Sequence, residues 1–209
     1  MKSHHHHWSY AAALLTLLVA ATWTIRALES PSPLDAPPGA QSPRAPQPVM
    51  PQYDKSGALL LPEDYRRWIM VGGSLGLSYS DLPGDHEMFA HTLMEPTAYR
   101  HFVETGTFRE GTMFALLLQG PGDKVLPARR GQFANDVHGV EMAVKDSAHV
   151  PEAWAYYGFG GMGGRIRGSA SAAPKNSCFS CHAEHAARDH VFLQFYPLLS
   201  EAAANSKGR

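Results

Sequence analysis

Thr112-Met113-Phe114-Ala115-Leu116-Leu117-Leu118 is an unbroken apolar run that begins directly after Gly111 and gives way to Gln119-Gly120. A short apolar run closed off by glycine reads as a strand rather than as a helix. Working outward, similar runs occupy Trp68 to Val71, Met88 to Met94, Val140 to Val144 and Trp154 to Phe159. Glycine-containing turns bound most of them, which favours an antiparallel sheet over alternating strand-helix-strand units. Helix signals are fewer. Pro62 opens one expected helix, with Glu63 and Asp64 in its first turn and Tyr65, Trp68 and Ile69 on one face. Pro96 opens another, with Tyr99, Phe102 and Val103 on one face and Gly106 as its stop. A third is expected near the C-terminus, from Cys181 to about Phe195. The expected class is therefore α+β, an antiparallel sheet with a few short helices.

At 209 residues and 44% apolar, the chain can bury one good core. The formal charge is -1 with scattered basic residues, which argues against nucleic acid or an acidic membrane surface as the main partner. Residues 1–29 read as a signal peptide or an N-terminal membrane anchor: Lys2 and His4 to His7, then an apolar stretch from Trp8 to Ile25, then Arg26. Ala20, Ala21 and Ala27 offer cleavage candidates, and the apolar stretch approaches the roughly 20 residues that span a bilayer. Cleavage and retention as an anchor both stay open, but either implies export, with the folded part in the periplasm. Residues 30–52 form a Pro-rich linker that is too poor in apolar residues to bury a core. The folded domain is expected over 53–199, followed by a flexible tail over 200–209.

The segment that carries chemistry is Cys178-Phe179-Ser180-Cys181-His182. The chain has just two cysteines, too close in sequence to close anything but a strained ring, so they serve chemistry or a metal. Two thiols at this spacing reach the two vinyl groups of a haem, and the adjoining imidazole reaches its iron. Cys178 and Cys181 would form thioethers to haem c, and His182 would donate the proximal nitrogen to iron. Other readings compete. A redox dithiol wants a βαβ setting and a helix beginning at the first cysteine, neither of which is legible here. Cys178, Cys181, His182 and His185 could gather zinc, and so short a motif can arise by chance. Export favours haem, because c-type cytochromes mature outside the cytoplasm.

Further stretches bear a family resemblance. They are Leu61-Pro62-Glu63-Asp64-Tyr65-Arg66-Arg67-Trp68, Val71 to Leu77, Pro96 to Tyr99, Thr105 to Thr112, Gly139 to Asp146, Trp154 to Tyr156, Cys178 to His185 and Val191 to Pro197. In this order they resemble the cytochrome P-460 family, which includes the cytochromes c′-beta. The resemblance implies a sheet-rich homodimer whose five-coordinate haem is open on its distal side to small nitrogen oxides. Members that oxidise hydroxylamine carry a lysine bonded to the haem edge, and here Leu116 takes that lysine's place. Those members also hold a distal carboxylate shortly before the first haem cysteine, and Ala170-Ser171-Ala172-Ala173-Pro174 contains no acid. Both departures point to the c′-beta branch, which binds nitric oxide and carbon monoxide in an apolar pocket capped by phenylalanines.

Phe89 and Phe114 are the candidates for that cap, although most buried phenylalanines only pack. A pocket without hydrogen-bond donors would stabilise dioxygen poorly, and one without a base would deprotonate hydroxylamine inefficiently. Met142, Met162, His185 or His190 as a sixth ligand would instead make an electron carrier with its own redox partner. Arg66, Arg67 and Arg109 are candidates for the haem propionates. Gly158 to Gly168 reads as a glycine-dense linker. Gas binding, hydroxylamine oxidation and electron transfer thus remain as alternatives, and whether the protein is an enzyme stays open.

Overall fold

The computed structural model describes residues 47–78, 87–122, 126–127, 129–161 and 165–206. The leader, most of the Pro-rich linker and Met162 lie outside the described residues. The frame is a five-stranded antiparallel sheet in the order β2-β3-β4-β5-β6. Its strands are β2 (Ile69–Leu75), β3 (Phe89–Met94), β4 (Met113–Gly122), β5 (Phe133–Lys145) and β6 (Trp154–Gly161). All five expected strands are present, and each neighbour in sequence is the neighbour in space. A two-stranded ribbon, β1 (Leu59–Leu60) with β7 (Ser169–Ala170), completes the strands of an α+β fold.

Because side chains alternate across a strand, β4 to β6 present two different faces. Met113, Ala115, Leu117, Val140, Met142, Val144, Ala155, Tyr157 and Phe159 join one core, closed by Leu59, Tyr65 and Trp68 from the N-terminal segment. Phe114, Trp154 and Tyr156 join a second core with Phe102, Val191, Leu193 and Leu199 from the helical side. The central strand β4 is covered on both faces through its first residues, which is why it reads as continuous rather than alternating hydrophobicity.

Helix α1 (Pro96–Thr105) is as expected, with proline in its first turn and Gly106 at φ 70° closing it. A Cβ at Gly106 would also collide with Ser206 Oγ, so glycine there permits close approach of the C-terminal helix as well as the left-handed cap. Glu95 caps the start, its buried carboxylate accepting from the Ala98 amide at 2.7 Å and the Thr97 hydroxyl at 2.6 Å.

Several expectations change. The Pro62 helix is only a 3-10 turn over Tyr65–Arg67, and Ile69 already starts β2, because backbone pairing with β3 takes the chain from there. The helix expected from Cys181 to Phe195 is the short α2 (Phe179–His185). It begins directly after Cys178, where none was legible, although the antiparallel setting still differs from βαβ. The chain leaves that helix at Ala186, whose ψ of 135° is extended, and turns again at Asp189 and His190, with φ values of 44° and 57°. Ser200 does not begin a loose tail: Pro197–Ser206 is helix α3, with Leu199, Ala202 and Ala203 buried. Packing also starts earlier than Tyr53, since Val49 lies against the first core. Gly158 to Gly161 belong to β6 rather than to a linker.

Candidate haem site

Helix α2 lays Cys178, Cys181 and His182 on one short element beside β6. Cys178 is the N-cap residue, and the His182 amide bonds back to its carbonyl at 3.1 Å, so the first thiol and the imidazole share a helical turn. Both cysteines are free and half-buried. A cavity of about 490 Å³ opens beside them, with Cys178 and His182 in its wall. That volume is in the range of cofactor sites.

His182 is held from three sides. Its ring lies 4.3 Å from that of Tyr156 and 4.3 Å from that of Phe192, and its Nδ1 donates to the His190 carbonyl at 2.8 Å. Assigning the proton to Nδ1 follows from that acceptor, and it leaves Nε2 as the free lone pair. Burial pushes the imidazole pKa below its ordinary value, which favours the neutral form that a metal requires. The Tyr156 hydroxyl donates to the same His190 carbonyl at 3.2 Å, and burial raises the Tyr156 pKa so that it stays protonated.

The sheet supplies a wall of the cavity in cross-strand rows. Phe114, Ala143 and Tyr156 are register partners in one row, and Leu116, Glu141 and Gly158 form the next. All six line the cavity. Phe114 therefore shares a row with the ring that touches His182, and it packs on Phe108, Trp154 and Tyr196. Phe89 does not line the cavity; its ring stacks on His91 at 6.1 Å. Leu116 does line it, between Thr92 and Glu141. A Cβ built on Gly158 would meet nothing within 4 Å, so this wall is hollowed by the lack of a side chain.

Glu141 is the residue that sequence reasoning missed. The segment before Cys178 has no acid, but the cavity does. Glu141 is exposed to the open cavity, and partial loss of hydration there raises the pKa of its carboxyl. A lone acid within Val140-Glu141-Met142-Ala143-Val144 was the available signal, and alternation alone would have put it on a solvent face.

The remaining candidates are dispersed. Met142 borders the cavity, but its side chain packs in the core on the other face of the sheet. His185 is exposed, with Glu184 at 3.8 Å. His190 contributes its carbonyl, not its ring, which lies tilted against Phe179 at 4.9 Å. Arg109 is tied to Glu95 at 3.1 Å, and Arg66 donates to its neighbour's Tyr65 hydroxyl, so neither they nor Arg67 reach the cavity wall. Among the described residues no group of three or more His, Cys, Asp or Glu side chains is placed to hold a metal ion by itself.

The residues present fit haem c. The Cys178 thiol and a neutral, oriented imidazole line a largely apolar cavity with a wall cut back to glycine at Gly158, and Cys181 precedes His182 on the same short helix. Cys178 and Cys181 would hold the group covalently and His182 would ligate its iron, which when bound supplies a coordination site and a one-electron redox centre. These features define a c-type haem protein built on an antiparallel sheet. The Cytochrome P460 family model matches residues 62–193, which is most of the chain. The protein belongs to the cytochrome P460 family. No curated protein matches the chain.

Proposed function

We propose that the protein is an exported, periplasmic monohaem cytochrome that binds small ligands such as nitric oxide and carbon monoxide on the vacant side of a five-coordinate haem. The observation that carries this reading is the cavity lining: among the described residues that line it, His182 is the one imidazole, and the Met142 thioether points elsewhere. With no second imidazole and no thioether aimed inward among the described lining residues, an added diatomic has a place to bind. Leu116 supports the same reading, because leucine cannot bond to the haem edge. The homodimer that the family resemblance implies belongs to this proposal, as do a redox partner and the cleaved or anchoring leader.

Glu141 modifies the pocket's chemistry. While protonated, its carboxyl can donate a hydrogen bond to a bound ligand, and its raised pKa extends that state to higher pH. Once ionised, it can accept a proton from a substrate N–H or O–H. That second role favours one alternative, hydroxylamine oxidation, in which Glu141 would take protons as electrons leave the substrate.

An absorption spectrum of the reduced protein, with and without carbon monoxide, tests the proposal. A high-spin spectrum that shifts on adding carbon monoxide, with an intact mass explained by two thioethers, is expected. Steady turnover with hydroxylamine and an added electron acceptor would move the assignment to the alternative. A low-spin spectrum indifferent to carbon monoxide would overturn both.

A further inference from the structure

The turn that faces the iron ligand is held in a conformation that its own residues do not favour. Asp189 and His190 both have positive φ, at 44° and 57°, and neither is glycine. Such a backbone persists only where the surroundings over-determine it, and it is found at sites that need a group aimed. Here the surroundings are specific. The Asp189 carboxylate accepts from Lys145 Nζ at 2.7 Å and from Trp154 Nε1 at 3.1 Å. Lys145 and Trp154 are register partners at adjoining ends of β5 and β6, so the carboxylate is bolted to the sheet rather than to another loop. The next carbonyl, that of His190, accepts from His182 Nδ1 and from the Tyr156 hydroxyl. Tyr156 lies two residues beyond Trp154 on the same face of β6.

We propose that Asp189 is a positioning residue for the haem iron ligand: through its clamp on Lys145 and Trp154 it aims the His190 carbonyl at His182 Nδ1 and so sets the donor strength of the imidazole. This rests on His182 being the iron ligand. The physical reason is that an imidazole N–H with a good acceptor places more electron density on its other nitrogen, whereas an N–H left to a poorly aimed acceptor donates less to the metal. A carbonyl shared between two donors is a neutral, moderate acceptor. Its aim is therefore what matters.

The test uses the haem-loaded full chain and two readouts, the midpoint potential and the iron–histidine stretching band of the ferrous protein. Asp189→Ala releases the turn, and it should raise the potential and lower the stretching frequency. Asp189→Asn keeps an acceptor for Trp154 and tolerates positive φ, so it should fall between alanine and the parent. Lys145→Arg should restore parental values, while Lys145→Met should move both readouts in the same direction as Asp189→Ala but less. Should Asp189→Ala fail to mature, Lys145→Met decides alone. Parental potential and frequency in the variant examined, even with a lowered melting temperature, would overturn the proposal and leave Asp189 merely structural. A parental spectrum unaltered by His182→Ala would be a different failure, overturning the ligand assignment and this role with it.

Discussion

Replacing Phe114 by alanine separates packing from gating in the cavity. The ring is 5% exposed and touches three other aromatic rings: Phe108 edge-on at 5.7 Å, Trp154 at 6.2 Å and Tyr196 at 6.2 Å. Removing a buried phenylalanine side chain costs about 3–5 kcal/mol, and a site already bordering a cavity belongs at the low end, about 3 kcal/mol. For a domain of this size each kcal/mol lowers the melting temperature by about 2–4 °C, so a fall of roughly 6–12 °C is expected. Ligand entry should change little, because Phe114 stands in the row of Tyr156 beside His182, while Leu116 and Glu141 occupy the next row. Carbon monoxide association, followed by flash photolysis of the haem-loaded protein, should stay within about twofold of the parent, under ~0.4 kcal/mol of barrier. An association rate raised about tenfold, equivalent to ~1.4 kcal/mol, would refute this reasoning and make Phe114 the cap that the family resemblance suggested.

Glu141→Gln should be more stable than the parent near about pH 7, with the gap closing below about pH 4.3, the usual glutamate value. The sign follows from the raised folded-state pKa: protonation stabilises the fold, and that stabilisation is lost as pH rises through the folded value. Denaturant titrations across the acid range check it, and a constant gap would count against a desolvated carboxyl. Glu95→Ala removes a helix cap and the Arg109 ion pair, while Arg109 keeps the Thr97 hydroxyl and the Glu110 carbonyl, so a loss of about 1–2 kcal/mol is expected. Glu95→Gln, which keeps an acceptor for the Ala98 amide, should lose less; equal losses by chemical denaturation would assign the effect to charge alone. Cys181→Ala should keep haem on Cys178 through a single thioether, visible as an altered pyridine haemochrome spectrum. The double change Cys178→Ala/Cys181→Ala should release all haem to acidified acetone, and retention would contradict thioether attachment.

Legibility of the fold tracked how local each signal was. Helix α1 could be read because proline, an amphipathic face and Gly106 all sit within a dozen residues. The strand runs could be read because β-pairing leaves apolar runs between glycines. The extent of α2 could not, since the chain becomes extended at Ala186, where Gln194 accepts from the Ala187 amide and donates to the His185 carbonyl. Helix α3 was read as a tail although Glu201-Ala202-Ala203-Ala204 favours a helix, because the packing against α1 and β2 that orders so short a segment is not visible in the sequence.

The candidate site divides in the same way. The sequence by itself determined the attachment chemistry, because two thiols and an imidazole need only a fixed spacing along one helical turn to serve one cofactor. It also determined the family and the absence of a lysine at Leu116. Tertiary structure decided what surrounds that chemistry: that Glu141 points into the cavity, that Phe89 does not line it, and that a main-chain carbonyl orients His182. Those outcomes depend on strand register and on which face of the sheet the C-terminal segment covers, and both arise from pairings between residues distant in sequence.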